Sequence, residues 1–168
     1  SLRRAPEHPH AGLLAARASS EMGQHGQALD ILERLTNRQP PHLKVRIARN
    51  RIRIAAGKRA AEARQELENL IAHPGLELSP QHRAEIFDAR GLEAVMRGDF
   101  ESAEQLYRSA LMALPGHPVF VETLADLLLK QFRLKEARQI LIRDDGSETE
   151  LVSIKARIKL MEGQYQAT

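Results

Sequence analysis

The sequence predicts an all-α protein built from consecutive pairs of helices. Apolar residues recur at steps of three and four along most of the 168 residues, which is the period of one face of a helix. Small residues recur inside these patterns at Ala28, Ala63, Ala103 and Ala137. Segments containing glycine or proline separate the patterns, and strand-like alternation is almost absent. A chain of this length can bury a sizeable core, so we expect one domain.

The clearest helical pair lies within residues 87–115. Two apolar faces with helical period are separated by Arg97-Gly98-Asp99. Gly98 can adopt the positive φ that ends many helices. Pro115 ends the second helix, because proline disfavours helical geometry in the residue that precedes it.

Large and small residues alternate along this pair in a defined order. The residues that carry the pattern are Phe87, Gly91, Gly98, Phe100, Ala103, Tyr107, Ala110 and Pro115. Their order and spacing resemble the tetratricopeptide repeat, a helix–turn–helix unit of about 34 residues. One family position departs from the pattern, because Ala94 stands where the family has an aromatic residue. The resemblance implies helical pairs stacked in a right-handed superhelix, an α-solenoid.

The same pattern divides the rest of the chain. Ala63 and Ala103 are 40 residues apart, whereas the other two intervals are 35 and 34, which predicts an insertion at 75–80. Within it, Ser79 before Pro80 predicts a helix start. We expect a lead-in at 1–9 and a single domain over 10–168, with four repeats and one partial repeat at 10–40, 43–74, 84–115, 118–145 and 148–168. Gly163-Gln164-Tyr165 predicts the turn of the partial repeat.

The segment 43–57 is ambiguous when taken alone. Its sequence, LKVRIARNRIRIAAG, alternates apolar and basic residues, which is typical of a strand. A strand would interrupt the helical repeat, and Leu43, Ile47 and Ile54 also fit one helical face. We therefore predict a helix.

Composition excludes several classes of protein. The chain has no cysteine, which excludes disulfides and thiol chemistry. No apolar run approaches 18 residues, so no membrane span is expected. A net charge of +3 does not by itself demand a nucleic-acid partner. The chain starts at Ser1 without a signal-peptide pattern, and its composition rich in Arg, Ala and Leu is typical of a segment of a larger bacterial protein. A soluble protein of the cytoplasm or the periplasm fits equally well.

No catalytic, cofactor or metal motif is found. The sequence lacks HExxH, a glycine-rich phosphate loop and a Gly-x-Ser-x-Gly elbow. His8 and His10 have no third ligand at a suitable spacing. Asp144 and Asp145 lie in DDGSE, which is typical of a turn followed by a capping serine, Ser147. We expect no enzymatic activity, no cofactor and no metal site.

Charge is distributed unevenly along the chain. Residues 44–64 carry eight basic residues and one acidic residue, Glu62. Residues 85–126 have the opposite balance, with eight acidic residues and three arginines. In tetratricopeptide proteins the first helix of each pair lines the concave groove. The resemblance therefore implies a partner-binding groove formed by Arg17, Glu85, Asp88, Leu92, Val95, Glu122, Asp126 and Leu129. Such a groove favours a basic or amphipathic peptide; the alternative is that these charges only form the solvated face of amphipathic helices.

These observations predict a protein–protein interaction scaffold. One alternative is nucleic-acid binding through the basic stripe, residues 44–64, although no aromatic residue lies there to stack bases. Another is a docking domain of an enzyme whose catalytic part lies outside this chain. Homodimerisation through the C-terminal end is also open, with a predicted contact surface of Leu151, Ile154 and Ile158.

Overall fold

The structure is a computed structural model that describes residues 9–37, 42–142 and 152–166. Within these ranges it contains nine helices and no strand. The helices are α1 (Pro9–Glu21), α2 (His25–Thr36), α3 (Leu43–Ala55), α4 (Ala60–Ala72), α5 (Pro80–Met96), α6 (Phe100–Ala113), α7 (Pro118–Lys130), α8 (Leu134–Gln139) and α9 (Val152–Gln166). The predicted all-α class is confirmed.

The helices pack mainly against their neighbours along the chain. The pairs are α1 with α2, α3 with α4, α5 with α6, and α7 with α8. First helices also pack on first helices, since α3 contacts both α1 and α5, and α7 contacts α9. Each unit therefore buries its apolar surface on the next unit, which is the packing of a solenoid.

The turn inside each of the four pairs contains at least one residue with a positive φ, and the turn between α3 and α4 contains two, because Arg59 has a φ of 55°. Gly23, Gly57 and Gly98 occupy three of these turns, at 76°, 64° and 79°. Gly98 therefore adopts the conformation predicted from the sequence. In the fourth turn Phe132 stands in place of glycine with a φ of 59°.

The sequence signals at the ends of α5 and α6 act as expected. The backbone N–H of His82 donates to Oγ of Ser79, 3.2 Å away, and Pro80 is the first residue of α5. At the other end of the pair, Leu114 leaves helical geometry with φ −139° and ψ 79°, immediately before Pro115.

The ambiguous segment 43–57 forms a helix, as predicted, since α3 covers Leu43–Ala55. α3 packs against α1, α2, α4 and α5, so it buries more than one stripe of its surface. Residues on different sides of the helix are accordingly buried, namely Val45, Ile47, Asn50, Ile52 and Ile54. Burial on several sides explains the strand-like alternation, because apolar residues are needed around most of the helix.

Small residues allow the helices to approach closely. Ala28, Ala63, Ala103 and Ala137 have no exposed surface. Gly91 of α5 faces the ring of Tyr107 in α6, and a Cβ atom on Gly91 would lie 2.6 Å from Cδ1 of that ring. The glycine is therefore required for the packing of this pair.

The C-terminal end differs from the sequence prediction in two ways. α9 continues through Gly163 to Gln166, so the predicted turn at residues 163–165 is wrong. Ile154 and Ile158 are already buried in the cluster formed with α7 and α8, and they offer no surface to a second copy. Val152 and Leu160 of α9 are large apolar residues that are exposed. The predictions for His8, the Asp144–Asp145 turn, Ser147 and Leu151 lie outside the described residues.

Candidate functional site

The first helices of successive units are α1, α3, α5, α7 and α9. They form one side of the stack, which we call the first-helix face. Two ion pairs join neighbouring helices of this face. Nε of Arg51 in α3 donates to Oδ2 of Asp88 in α5 at 3.0 Å. Arg157 in α9 pairs with Asp126 in α7. The first pair joins α3 to α5 and the second joins α7 to α9, while α6 packs against both α5 and α7.

Two of the predicted acidic residues carry no compensating charge. Glu122 is exposed and accepts only a long hydrogen bond from Oγ of Ser153, 3.5 Å away. Glu85 is half-buried and accepts a hydrogen bond from Nε2 of Gln81 at 2.8 Å. Neither forms an ion pair with any residue that the structure describes. The first-helix face therefore presents two negative charges.

Two other predicted residues lie inside the protein. Leu129 is 1% exposed and belongs to the core cluster around α7. Asp88 is 3% exposed. Burial of Tyr107 raises the pKa of its hydroxyl, and the negative charge of Asp88 nearby adds a smaller effect in the same direction. The placement of Leu129 and Asp88 on the groove surface is therefore wrong. Both side chains stabilise the fold instead.

The remaining predicted residues line the face to different degrees. Leu92 and Val95 are half-buried and pack on the two core clusters that flank α5. Arg17 is exposed on α1, where its Nε donates to Oε1 of Glu21 at 2.9 Å. The structure therefore brings Glu85, Leu92 and Val95 together on α5, and Arg17 lies two first helices away.

Sequence reasoning missed the cations of this face. Arg51 lies 37 residues from Asp88 and Arg157 lies 31 residues from Asp126. Partners so far apart are set by the rotation and offset of packed helices, and no local pattern identifies them. The sequence showed only that residues of opposite charge occur in neighbouring units, which does not identify the individual pairs.

The basic stripe is largely neutralised within the protein. Its six arginines all form ion pairs, and the pairs are Arg46–Glu66, Arg49–Glu66, Arg51–Asp88, Arg53–Glu33, Arg59–Glu62 and Arg64–Glu93. Burial and the charges of Arg49 and Arg59 lower the pKa of Arg53. Lys44 and Lys58 alone in the stripe form no ion pair with a described residue. The stripe is therefore a set of structural cations rather than a continuous positive surface.

The described residues offer no site for a metal ion. They contain no group of three or more His, Asp or Glu side chains close enough to share one. In the same part of the chain, no helix combines the length and the apolar character that crossing a membrane requires.

Comparisons with known proteins agree with the fold. A family model described as tetratricopeptide repeat matches residues 94–158. The crystal structure of a thermophilic tetratricopeptide repeat protein from Thermus thermophilus is similar over 94% of this chain and 83% of that one, with a TM-score of 0.67 and 24% identity. No curated protein sequence matches the chain significantly. The predicted resemblance to the tetratricopeptide repeat is confirmed, and the fold is a right-handed α-solenoid.

Proposed function

We propose that this protein is an interaction scaffold that binds a partner peptide or protein on its first-helix face. Tetratricopeptide repeats generally mediate protein–protein interactions. The observation that carries the proposal is the pair of carboxylates, Glu85 and Glu122, that have no cationic partner among the described residues, while Asp88 and Asp126 are neutralised. A partner that supplies the missing positive charges fits this surface.

The partner is a basic or amphipathic segment. Its Lys or Arg side chains pair with Glu85 and Glu122, and its apolar side chains contact the exposed parts of Leu92 and Val95. The ion pairs Arg51–Asp88 and Arg157–Asp126 join α3 to α5 and α9 to α7, and α6 packs against both α5 and α7, so the helices are held in place before binding. Because the surface is preorganised, most of the ordering cost falls on the partner.

Nucleic-acid binding has less support than protein binding. Phosphate contacts need cations that are free to pair, and the arginines of the basic stripe already pair with carboxylates. Lys44 and Lys58 are too few to bind a strand tightly. A role as docking domain of an enzyme remains compatible with the proposal, because the same face would then hold the substrate or the catalytic partner.

Charge reversal on the face tests the proposal. Immobilised wild type and Glu85→Lys/Glu122→Lys are incubated with lysate, half of it treated with nuclease, and the retained proteins are quantified by mass spectrometry. Glu77→Lys/Asp30→Lys is the matched control, because it changes net charge equally at two exposed acids outside the face. Asp88 is left unchanged, since a lysine at a buried position would unfold the protein.

We expect wild type and the control to retain the same proteins, and the Glu85→Lys/Glu122→Lys variant to lose them. Equal retention by wild type, the control and the Glu85→Lys/Glu122→Lys variant would overturn the proposal. Retention that disappears after nuclease treatment would also overturn it, in favour of nucleic-acid binding.

A further inference from the structure

Arg53 of α3 is a largely buried cation whose ion pair is loose. Its side chain is 14% exposed, and its Nη2 lies 3.9 Å from Oε1 of Glu33, the longest such distance among the ion pairs of the basic stripe. Hydrogen bonds from a guanidinium to a carboxylate are about 2.7–2.9 Å long. Arg53 donates none to a residue that the structure describes. Its donors are therefore available to another acceptor.

The surroundings of Arg53 contain more positive than negative charge. Nη2 of Arg49, one turn earlier in α3, lies 3.1 and 3.0 Å from the two carboxylate oxygens of Glu66, and Arg46 also donates to that carboxylate. Three cations thus face two carboxylates, which leaves a net charge of +1. We call these five residues the α3 cluster: Arg46, Arg49, Arg53, Glu33 and Glu66.

The two carboxylates do not fully compensate Arg53. Burial, followed by the positive charges of Arg49 and Arg59, lowers the pKa of Arg53 in spite of the opposing effect of Glu66 and Glu33. The carboxylate of Glu33 is 57% exposed, so water competes for it. A further negative group beside Arg53 would therefore be stabilised.

The guanidinium of Arg53 is accessible between two second helices. α3 packs on both α2 and α4, and the carboxylates of the α3 cluster come from these two helices. The nitrogen atoms of Arg53 keep contact with solvent, unlike Nε of Arg49, which is buried without a partner. Arg59 at the start of α4 adds no net charge, because it pairs with Glu62. An anion can thus reach Arg53 from solvent.

We propose that Arg53 forms a binding site for a single carboxylate of a protein partner. A carboxylate accepts two hydrogen bonds from a guanidinium, and its one negative charge matches the net charge of the α3 cluster. A phosphate dianion fits less well, because Glu33 and Glu66 repel its second charge. The site lies outside the first-helix face and does not depend on the function proposed for that face.

Nuclear magnetic resonance of the ¹⁵N-labelled full chain tests this site. The arginine Nε–H signals are assigned through their bonds to the backbone and followed while sodium acetate replaces sodium chloride at constant ionic strength. A parallel titration uses inorganic phosphate. Arg83 of α5 is the internal control, because it is exposed and forms no ion pair with a described residue.

We expect the Arg53 signal to shift saturably with acetate, with a dissociation constant of about 10 mM or lower, and the Arg83 signal to change only linearly. Glu33→Gln should tighten acetate binding by about threefold or more, because it removes a repelling charge beside the ligand. The matched variant Asp30→Asn, at an exposed acid of the same helix, should stay within about twofold of wild type. Glu85→Lys/Glu122→Lys should also stay within about twofold, which separates this result from the proposed function.

Three short peptides identify the source of the carboxylate. One is Ser-Gly-Glu-Gly-Ser with both ends blocked, another has glutamine in place of the glutamate, and the third is the glutamine peptide with a free C-terminal carboxylate. Saturable binding of the first or the third supports the proposal, and the tighter of the two assigns the site to an acidic side chain or to a chain end. Equal binding of the blocked glutamine peptide would overturn it.

The acetate titration provides further contradicting outcomes. A linear Arg53 response up to about 0.2 M acetate, or equal responses of Arg53 and Arg83, would show that the α3 cluster is no binding site. Phosphate binding tighter than acetate at equal ionic strength would overturn the assignment to a carboxylate. Unchanged or weaker acetate binding by Glu33→Gln would contradict the charge balance on which the proposal rests.

Discussion

Nε of Arg51 in α3 lies 3.0 Å from Oδ2 of Asp88 in α5, and the pair joins two units of the solenoid. Asp88 is almost fully buried, whereas the Arg51 side chain is 45% exposed. The arginine thus neutralises a carboxylate that has left water. On the same face, Glu85 and Glu122 form no ion pair with a residue that the structure describes.

Loss of Arg51 should therefore leave a buried carboxylate without a partner. We expect Arg51→Met to lower the free energy of unfolding by about 2–3 kcal/mol, somewhat less than for a fully buried pair because Arg51 is half exposed. The additional change Asp88→Leu should restore part of that loss, because no buried charge then remains. Urea unfolding of the two single variants and the double variant measures the coupling.

Arg17 provides a control for this cycle. Its pair with Glu21 is exposed on both sides, so Arg17→Met should change the free energy of unfolding by less than about 0.5 kcal/mol. An equal effect of Arg17→Met and Arg51→Met would contradict the view that burial of Asp88 gives the inter-unit pair its importance.

Gly91 should be the glycine that tolerates alanine least. A Cβ atom there overlaps the Tyr107 ring, and we expect Gly91→Ala to destabilise the fold by about 2–3 kcal/mol in thermal or urea unfolding. Gly26→Ala is the matched control, because no atom lies within 4 Å of its added Cβ and the residue is helical. That variant should gain up to about 1 kcal/mol from helix propensity.

Gly98→Ala separates strain from steric overlap. Its added Cβ meets nothing within 4 Å, but its φ is 79°. The expected cost is about 1–2 kcal/mol, from the left-handed conformation alone. If Gly91→Ala proved as mild as Gly26→Ala, the close packing of α5 on α6 would be incorrect.

The stability contributed by Glu104 should depend on pH. The hydrogen bond from Arg133 is the largest cause that holds the pKa of Glu104 below its usual value, and Arg108 adds to it against the opposing effect of burial. Since the folded pKa is lowered, the contribution is complete above the unfolded pKa of about 4.3 and is lost as pH falls through the folded pKa.

Glu104→Gln should accordingly lose about 1 kcal/mol at pH 7, and its difference from wild type should shrink as the pH falls below about 4. Urea unfolding at a series of pH values measures this difference. Glu101→Gln, on the same helix and without an ion pair among the described residues, should stay within about 0.5 kcal/mol of wild type throughout. A difference for Glu104→Gln that is independent of pH would rule out the ionic explanation.

The basic stripe should not bind nucleic acid under physiological conditions. Because its arginines pair with carboxylates of α2, α4 and α5, labelled single- and double-stranded DNA and RNA should bind no tighter than about 10⁻⁴ M near 0.15 M salt. Tight, steeply salt-dependent binding that is lost in Lys44→Glu/Lys58→Glu would contradict this interpretation of the stripe.

Local signals predicted most of the fold. Helical periodicity, the cap at Ser79, the stop at Pro115 and the positive φ of Gly98 all act within a few residues, and the structure agrees with each. α3 required the repeat as context, because its burial by four neighbouring helices hides the period of a single face. The prediction of a turn at residues 163–165 was wrong, because α9 continues through Gly163 to Gln166. No neighbouring atom lies within 4 Å of a Cβ atom built on Gly163, so the glycine there marks neither a turn nor a close contact.

The candidate site was less predictable, because it depends on how one helix is rotated against the next. Position in the repeat placed Glu85, Asp88 and Leu129 on one face, but only the packed structure separates the half-buried Glu85 from the buried Asp88 and Leu129. The neutralisation of the basic stripe was equally hidden, since Glu66 and Glu93 reach it across helix contacts. Long-range charge pairing needs three-dimensional register, which the residue pattern does not contain.

The most direct test of the first-helix face is site-specific photocrosslinking. The crosslinking amino acid p-benzoylphenylalanine replaces Glu122 or Glu85 in separate variants, and in control variants it replaces Asp30 of α2 or Gln105 of α6, which lie on second helices. After irradiation in lysate, crosslinked products are identified by mass spectrometry. Our account predicts that one set of proteins crosslinks from positions 122 and 85 and is absent from positions 30 and 105. Crosslinking of those proteins from 30 or 105 but not from 122 or 85 would place the partner on the other side of the solenoid and contradict the account.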